Sequence, residues 1–561
     1  MIVDALELAD GTLIESDVCI VGAGPAGITL ARELLGESFR VCLLESVGLD
    51  FEPQTEALKR LSNVGGDLEP PTAATRRQFG GAANAWDVLT TEAGGGVRYL
   101  PLSAVDFEKR DWLPHSGWPF TKAEIDPFYE RAQRVCDIGP YTYRVEDWTE
   151  PDARPWPLDE ARLTTSVEQY GHHRVFTRDH LEELRRSPNL NLVLHANVTS
   201  IEQRPGSAAV ERIAVACVNG CRHSVTASLF VLATGGIENA RLLLLSTAQQ
   251  PNGLGNQHDL VGRFFMDHHN VDCGELVPAS PELLERSALY DLRRVNGAWV
   301  MAKLNIAEAL MREERLLNGA ARIEARLDPG LEKALRSLAR AARAVRRGRL
   351  PDDIAAKVRE VVPQLPRLAA IGGAAFKEHG VMALARQENR GRYGWSKRSG
   401  QWRSFASFSV ELQTELAPDP ANRVVLGDDR DAFGRPLAGV YWKWGETDRR
   451  SLRRVQELLV TAFADSGLGV LRLPAGEATS NVTSPAGIFH HMGTTRMHAD
   501  PARGVVDADC RVHGVENLFV AGSSVFPTGG YANPTLTIVA LSIRLADQIK
   551  ALMRSRRIDI A

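Results

Sequence analysis

Cysteine is scarce in this chain: seven are scattered over 561 residues, an odd number with no C-x-x-C pair. Neither a disulfide framework nor a cysteine metal cluster is expected, and a reducing compartment suits the composition. Long hydrophobic runs are missing too, since no stretch approaches the ~18 apolar residues of a membrane-spanning helix. An excess of charge is lacking as well. The 66 Lys and Arg face 70 Asp and Glu for a formal net charge of -4, which removes any global electrostatic case for nucleic acid. The first residues show no basic segment followed by an apolar one and no twin arginine, so export on a signal of its own is not expected and the cytoplasm is the expected location. Internal repeats and low-complexity segments are absent. What remains is a large globular chain, for which length allows about three or four domains.

Glycine is where the chain speaks first. Asp17 to Val21 reads as a short apolar strand, followed by GAGPAG, a helical ITLARELLG and a second strand, FRVCLLES. Gly22, Gly24 and Gly27 have the G-x-G-x-x-G spacing. The first permits a tight turn, the second lets backbone approach a pyrophosphate, and the third lets helix and strand pack closely, with the helix N-terminus facing the phosphates. Glycines alone would signal only a turn. Glu45, ending the second strand, adds a carboxylate that can accept hydrogen bonds from a ribose diol, and together these predict a dinucleotide site. No second fingerprint follows a later strand.

Downstream, TRRQFGGAANAWDV (Thr75 to Val88) brings small residues up to Asn84 and Trp86, a composition suited to backbone against a flat ring. A helix is expected from the Thr121 cap. Cys217 and Cys221 flank an Asn-Gly turn and read as two hairpin thiols rather than a redox pair. Phe230 to Thr234 is a buried strand running into Gly235 and Gly236, then a helix. Asp267, His268 and His269 stand side by side, but neighbours in a chain rarely point at one ion, and no metal site is expected. Leu331 to Leu350 reads as a basic amphipathic helix, and a second helix is expected from Asp352 to Val361. The solvated-face reading is preferred over a membrane or partner surface, because the apolar side is mostly alanine. Ser404 to Trp444 alternates like a sheet, and Asp448 to Ala464 like a helix.

The stretch from Gly487 to Leu541 holds the candidate chemistry. His490 sits in HHMGTT and Asn533 in GGYANPT, ahead of an apolar helical run, with Gly529, Gly530 and Pro534 where backbone must bend tightly. With GAGPAG and Glu45, FGGAANAW, ATGGIENARLLL, VGRFFMDH, ELAPDPANRVVL, HHMGTTRM and GGYANPTLTI in this order, the chain resembles the glucose-methanol-choline (GMC) flavoprotein oxidoreductases. The likeness is to the sugar-oxidising branch that includes pyranose oxidase and bacterial sugar dehydrogenase large subunits. It spans nearly the whole length except the region from 280 to 400.

The resemblance implies an α/β fold: a Rossmann-type FAD-binding domain (1-105, 190-275 and 480-561) interleaved with an α+β substrate domain (106-189 and 276-479) on an antiparallel sheet, with a helical insert near 306-385. It implies cofactor contacts at Gly22, Gly24, Gly27, Glu45, Gly81, Ala83, Asn84, Val198, Gly235, Gly522, Ser523 and Pro534, and a catalytic pair of His490, rather than His491, with Asn533. Where pyranose oxidase-like members carry a histidine to which flavin can be covalently attached, this chain has Ala85, so non-covalent FAD is expected. Leu416 is a second departure, where many relatives have a polar residue.

The expected reaction is oxidation of an alcohol, on a sugar, glycoside or aminoglycoside-like substrate, to the carbonyl. His490 takes the hydroxyl proton, Asn533 donates to the developing alkoxide, and hydride passes to flavin N5. The acceptor stays open between O2 and a quinone or other oxidant, and homo-oligomerisation stays open too. A non-sugar alcohol, a pyridine-nucleotide-linked flavin reductase and a non-catalytic binding protein are the alternatives.

Overall fold

The computed structural model describes residues 1–53, 55, 58, 60–67, 76–86, 88–91, 94–350, 353–369, 396, 404–483, 487 and 489–558. Thr75, Asp87, Asp352 and the 370–385 part of the expected insert lie outside them.

Two sheets organise the chain. The first has six parallel strands in the order Ile2–Asp4, Leu190–Leu194, Val41–Leu44, Val18–Val21, Leu229–Leu232 and Leu518–Val520. The central ones are short, wholly apolar and buried on both faces, as a parallel sheet covered on both sides requires. Helix Pro25–Glu33 follows the first glycine turn, and the long C-terminal helix Thr535–Ile558 packs against it and against Lys122–Val135. The Thr121 cap is present, with Glu124 closing a capping box.

The second sheet runs Gly469–Arg472, His269–Pro278, Phe405–Thr414, Gly319–Leu327, Ala298–Ile306, Leu163–His172, Gly94–Tyr99 and Val88–Thr91, with Arg293–Val295 paired to Ala298–Ile306. All its pairings are antiparallel. Alternation gives it two unlike faces. Val271, Leu412, Val410, Ile323, Leu304 and Val167 pack under helix Glu446–Asp465 through Leu452, Val455, Leu459 and Phe463. The opposite face carries Asn270, Gln413, Glu411, Arg322, Lys303, Glu168 and Arg98, aligned by the strand register. That polar face looks onto the cavity described below.

The fold is thus mixed α/β with a large antiparallel sheet. Its chain path is more interlaced than the motifs suggest: Val88–Thr91, Gly94–Tyr99 and the start of His269–Pro278 all belong to the antiparallel sheet. The single sheet expected over Ser404 to Trp444 is instead divided. Phe405–Thr414 enters the large sheet, while Arg423–Arg430 and Pro436–Tyr441 form a separate hairpin. Pro418 and Pro420 fall between them, where a residue without an N–H breaks the ladder. Leu416 at this break is buried in the main core.

The Asn-Gly turn closes as expected, with the Cys217 N–H on the Cys221 carbonyl at 2.9 Å, and both thiols are free. In helix Pro329–Arg346 the residues Leu331 and Leu335 are buried while Arg336, Arg340, Arg343 and Arg346 face solvent. The following helix is Ile354–Val361. Among the described residues no helix is long and apolar enough to cross a membrane.

Candidate active site

One cavity of about 530 Å³ runs from the first glycine turn to the segment holding His490, within the usual size range of small-molecule sites. Its floor is built by close backbone approaches. Gly22 has φ +102°, and a Cβ on Gly27 would lie 1.9 Å from the Gly22 carbonyl oxygen, so only glycine lets helix Pro25–Glu33 start against its strand. The FGG loop docks on the same turn, the Gly80 N–H donating to the Ala23 carbonyl at 2.8 Å.

Gly22, Gly24, Glu45, Gly81, Val198, Gly235, Gly522, Ser523, Asn533, Pro534 and His490 all line this cavity, as does Ala85. Gly27, Ala83 and Asn84 do not. Gly27 packs helix on strand, Ala83 is buried, and Asn84 donates to the carbonyls of Phe79 and Gly81, both at 3.0 Å, which staples the loop from behind. Glu45 accepts from the Ala23 N–H at 3.0 Å, and burial raises its pKa. Asn239, in the ENARLL helix, ties two cavity turns together by donating to the Ala521 carbonyl and the Ser524 hydroxyl.

At the far end, hydrogen bonds fix the protonation of two histidines. Nε2 of His268 lies 2.8 Å from the Gly530 carbonyl. A carbonyl only accepts, so Nε2 carries the hydrogen and the Nδ1 of neutral His268 is a lone pair. That Nδ1 lies 2.9 Å from Nδ1 of His490, which must therefore carry a hydrogen. Nε2 of His490, on the far side of the ring from His268, is left bare. Backbone serves the same arrangement: the Asp267 carboxylate accepts from the His490 N–H at 2.8 Å and from the His268 N–H at 2.7 Å. A Cβ on Gly530 would strike the Asp106 carboxylate at 2.6 Å, which explains the glycine there.

Burial lowers the pKa of His268 to about 3 and of His491 to about 4, and holds His490 well below the ordinary imidazole range, with His268 adding to the effect. All three are neutral at neutral pH. The three adjacent residues Asp267, His268 and His269 go separate ways: His269 lies against Trp442 and Trp444, with ring centroids 4.7 and 4.9 Å away. His491 turns toward Phe265.

Asn533 is oriented by Gln413, whose Nε2 donates to its Oδ1 at 3.2 Å. The amide oxygen is thus occupied and the Nδ2 is the donor for the cavity. Beside this end stand Asn270, Arg322, Glu411 and Thr483. Arg322 pairs with Glu324 at 2.8 Å and with Glu411, and Thr483 donates to Glu411 at 2.5 Å. The motifs did not point to His268 as a partner, nor to Gln413, Lys303 or Arg322. Period-two alternation in their strands was the one available signal, and it does not say which polar face meets the site.

Residues 418–542 match the family model described as GMC oxidoreductase. That segment is similar to the C-terminal domain of GMC oxidoreductases. Its relatives include 6'''-hydroxyparomomycin C oxidase of Streptomyces lividus, 24% identical over 96% of this chain and 92% of that one. Another is the fructose dehydrogenase large subunit of Gluconobacter japonicus, 28% identical over 82% and 78%. In fold it is similar to an FAD-dependent oxidoreductase from Chaetomium thermophilum, with a TM-score of 0.52, 17% identity, and coverage of 96% of this chain and 100% of that one. The similarity to GMC oxidoreductases implies FAD as the cofactor.

The residues present fit that cofactor. Gly22 and Gly24 line the cavity as bare backbone, a Cβ on Gly24 would stand in open space, helix Pro25–Glu33 turns its N-terminus to the cavity, and Glu45 supplies the buried carboxylate at one end. The N-terminus of helix Thr535–Ile558 lines the cavity near Asn533.

Proposed function

We propose that this enzyme oxidises a hydroxyl of a polyhydroxylated substrate, a sugar, glycoside or aminoglycoside-like molecule, to the carbonyl, using non-covalent FAD. The observation that carries the reading is the Nδ1-to-Nδ1 contact of His268 with His490 beside Asn533. A substrate hydroxyl there donates to the bare Nε2 of His490 and accepts from Nδ2 of Asn533. His490 removes the proton while Asn533 holds the oxygen on which charge develops. As His490 becomes positive, its Nδ1–H already points at the His268 lone pair, so a charge-assisted hydrogen bond stabilises the imidazolium. FAD, when bound along the glycine cradle, supplies the two-electron acceptor for the carbon-bound hydrogen.

The ring of Asn270, Arg322, Glu411 and Thr483 offers donors and acceptors on several sides, which suits neighbouring hydroxyl or amino groups better than an alkyl chain. The names of the relatives, an aminoglycoside oxidase and a sugar dehydrogenase, point the same way. Two units divide the work: the parallel-sheet side holds FAD and the antiparallel sheet covers the substrate. Ala85 lines the cavity where a histidine would be needed for a covalent link.

The test is anaerobic mixing of the yellow enzyme with a panel of sugars, glycosides and aminoglycosides. At least one is expected to bleach the flavin, and reoxidation by O2 against a quinone dye then identifies the acceptor. Bleaching by NADPH but by no alcohol overturns the reading. His490→Ala is expected to lower kcat by about 10²- to 10⁴-fold with FAD content unchanged. Acid precipitation is expected to leave the yellow colour in the supernatant; a yellow pellet defeats the non-covalent assignment.

A further inference from the structure

We propose that Gln413 is the positioning residue of this site: one side-chain amide, anchored by the buried Lys303–Glu168 pair, sets the orientation of Asn533 and backs the His268–His490 tautomer that the Gly530 carbonyl fixes. The inference rests on the alcohol oxidation proposed above and concerns how the chain holds the base and the donor ready.

Gln413 is almost wholly buried on strand Phe405–Thr414. Its Oε1 accepts from Nζ of Lys303 at 3.2 Å. Its Nε2 has three acceptors in reach: the Tyr531 carbonyl at 2.8 Å, Oδ1 of Asn533 at 3.2 Å and Nδ1 of His268 at 3.3 Å. A flipped amide would turn its oxygen toward all three acceptors and its hydrogens toward a donor. The orientation is therefore fixed from both ends. It fixes two further things. Asn533 must present Oδ1 to Gln413 and keep Nδ2 for the cavity, and His268 must keep Nδ1 unprotonated, which obliges His490 to hold its own hydrogen on Nδ1.

The anchor is built across three strands. Lys303 on Ala298–Ile306 is fully buried and lies 2.8 Å from Oε1 of Glu168 on Leu163–His172, whose other oxygen accepts from the Tyr170 hydroxyl at 3.1 Å. The intervening strand carries Ala320, paired with Asn305 on one side and Gln413 on the other. Its small side chain leaves room for Lys303 to reach across. Burial lowers the Lys303 pKa to about 7, and in either protonation state the nitrogen retains a hydrogen for Gln413. A lysine, a glutamate and a glutamine buried together cost desolvation; a purely structural core would be served by apolar residues of similar volume.

The decisive variant is Gln413→Glu, nearly equal in size. One carboxylate oxygen pairs with Lys303, and the other has no hydrogen to give Oδ1 of Asn533, so that amide turns and its Nδ2 donates to the carboxylate. Asn533 then presents Oδ1 to the cavity, and the developing alkoxide loses its donor while the Gly530 carbonyl still holds Nε2 of His268 protonated. The expected result is a fall in kcat of about 100-fold or more, KM within about threefold and FAD content unchanged. Independently of activity, 15N spectra of histidine-labelled wild-type protein, with or without FAD, should show His490 protonated on Nδ1 and His268 on Nε2. His490 protonated on Nε2 in the wild type, or a Gln413→Glu enzyme with wild-type kcat, overturns the proposal. Should that variant not fold, Gln413→Met, which keeps the size and removes the donor to Asn533, takes its place, and a wild-type kcat there overturns the proposal. A wild type that no alcohol bleaches refutes the alcohol reading while leaving the tautomer measurement intact, so the two failures are told apart.

Discussion

At the scale of the residue, the decisive quantity is where one hydrogen sits. His490 was legible as a candidate from HHMGTT, and Asn533 from GGYANPT, because glycine-rich turns around a polar residue mark backbone held close to a ligand. His268 was equally visible in DHH, but its contact with His490 was not, since it depends on strands distant in sequence. The pH dependence follows from the same geometry. A general base works unprotonated, and burial holds His490 well below the ordinary imidazole value of ~6.5. Its neutral form is therefore fully present across the neutral range and is lost only as pH falls through the depressed value. The acid limb of kcat/KM against pH is expected below about 6.5. A limb at or above that value would show a base still exposed to water.

At the scale of the element, two local structures carry testable weight. The first is the glycine turn before helix Pro25–Glu33. A methyl on Gly27 would meet the Gly22 carbonyl oxygen at 1.9 Å, and backbone cannot yield as a side-chain tip can. Gly27→Ala should weaken FAD binding at least about tenfold, equivalent to about 1.4 kcal/mol, read from the flavin retained after dialysis, with circular dichroism unchanged. This much the G-x-G-x-x-G spacing announced. The second was hidden. Arg110 and Glu415 form a two-pronged pair at 2.8 and 2.5 Å with both side chains buried, and Glu415 also accepts from the Asn318 N–H at 2.9 Å. Removing one charge of a buried pair costs about 3–5 kcal/mol. Glu415→Gln is expected near about 3, the low end of that range, because Asp106 can partly replace the lost charge. Asp106 stands close enough to Arg110 for the guanidinium to lower its pKa, so that carboxylate stays beside Arg110 as a counter-charge when Glu415 is neutralised. Urea unfolding midpoints at constant m-value measure the loss.

At the scale of the molecule, the cavity lies where the carboxyl ends of parallel strands meet the polar face of the antiparallel sheet. Glycine turns from Gly22, Gly81, Gly235 and Gly522 converge there from four distant parts of the chain. A ligand touching so many segments binds the folded state and not the unfolded chain. At one hundred times its Kd, FAD should add about 2.7 kcal/mol of stability. Stripping FAD should lower Tm, and adding it back should raise Tm with concentration; a Tm indifferent to FAD would place the cofactor elsewhere.

The sequence by itself determined the central parallel strands at Asp17 to Val21, FRVCLLES and Phe230 to Thr234, the glycine turns, the carboxylate at Glu45 and the two polar residues His490 and Asn533. Each is a local consequence of short-range sterics and hydrogen-bonding capacity. Only the tertiary structure decided which polar face of the antiparallel strands covers the cavity, that Gln413 meets Asn533 and His268, and that Lys303 and Glu168 hold it. Those contacts join residues from separate strands. Alternation along one strand says that a side chain shares a face with its second neighbour, whereas register between strands is fixed by packing of the whole sheet.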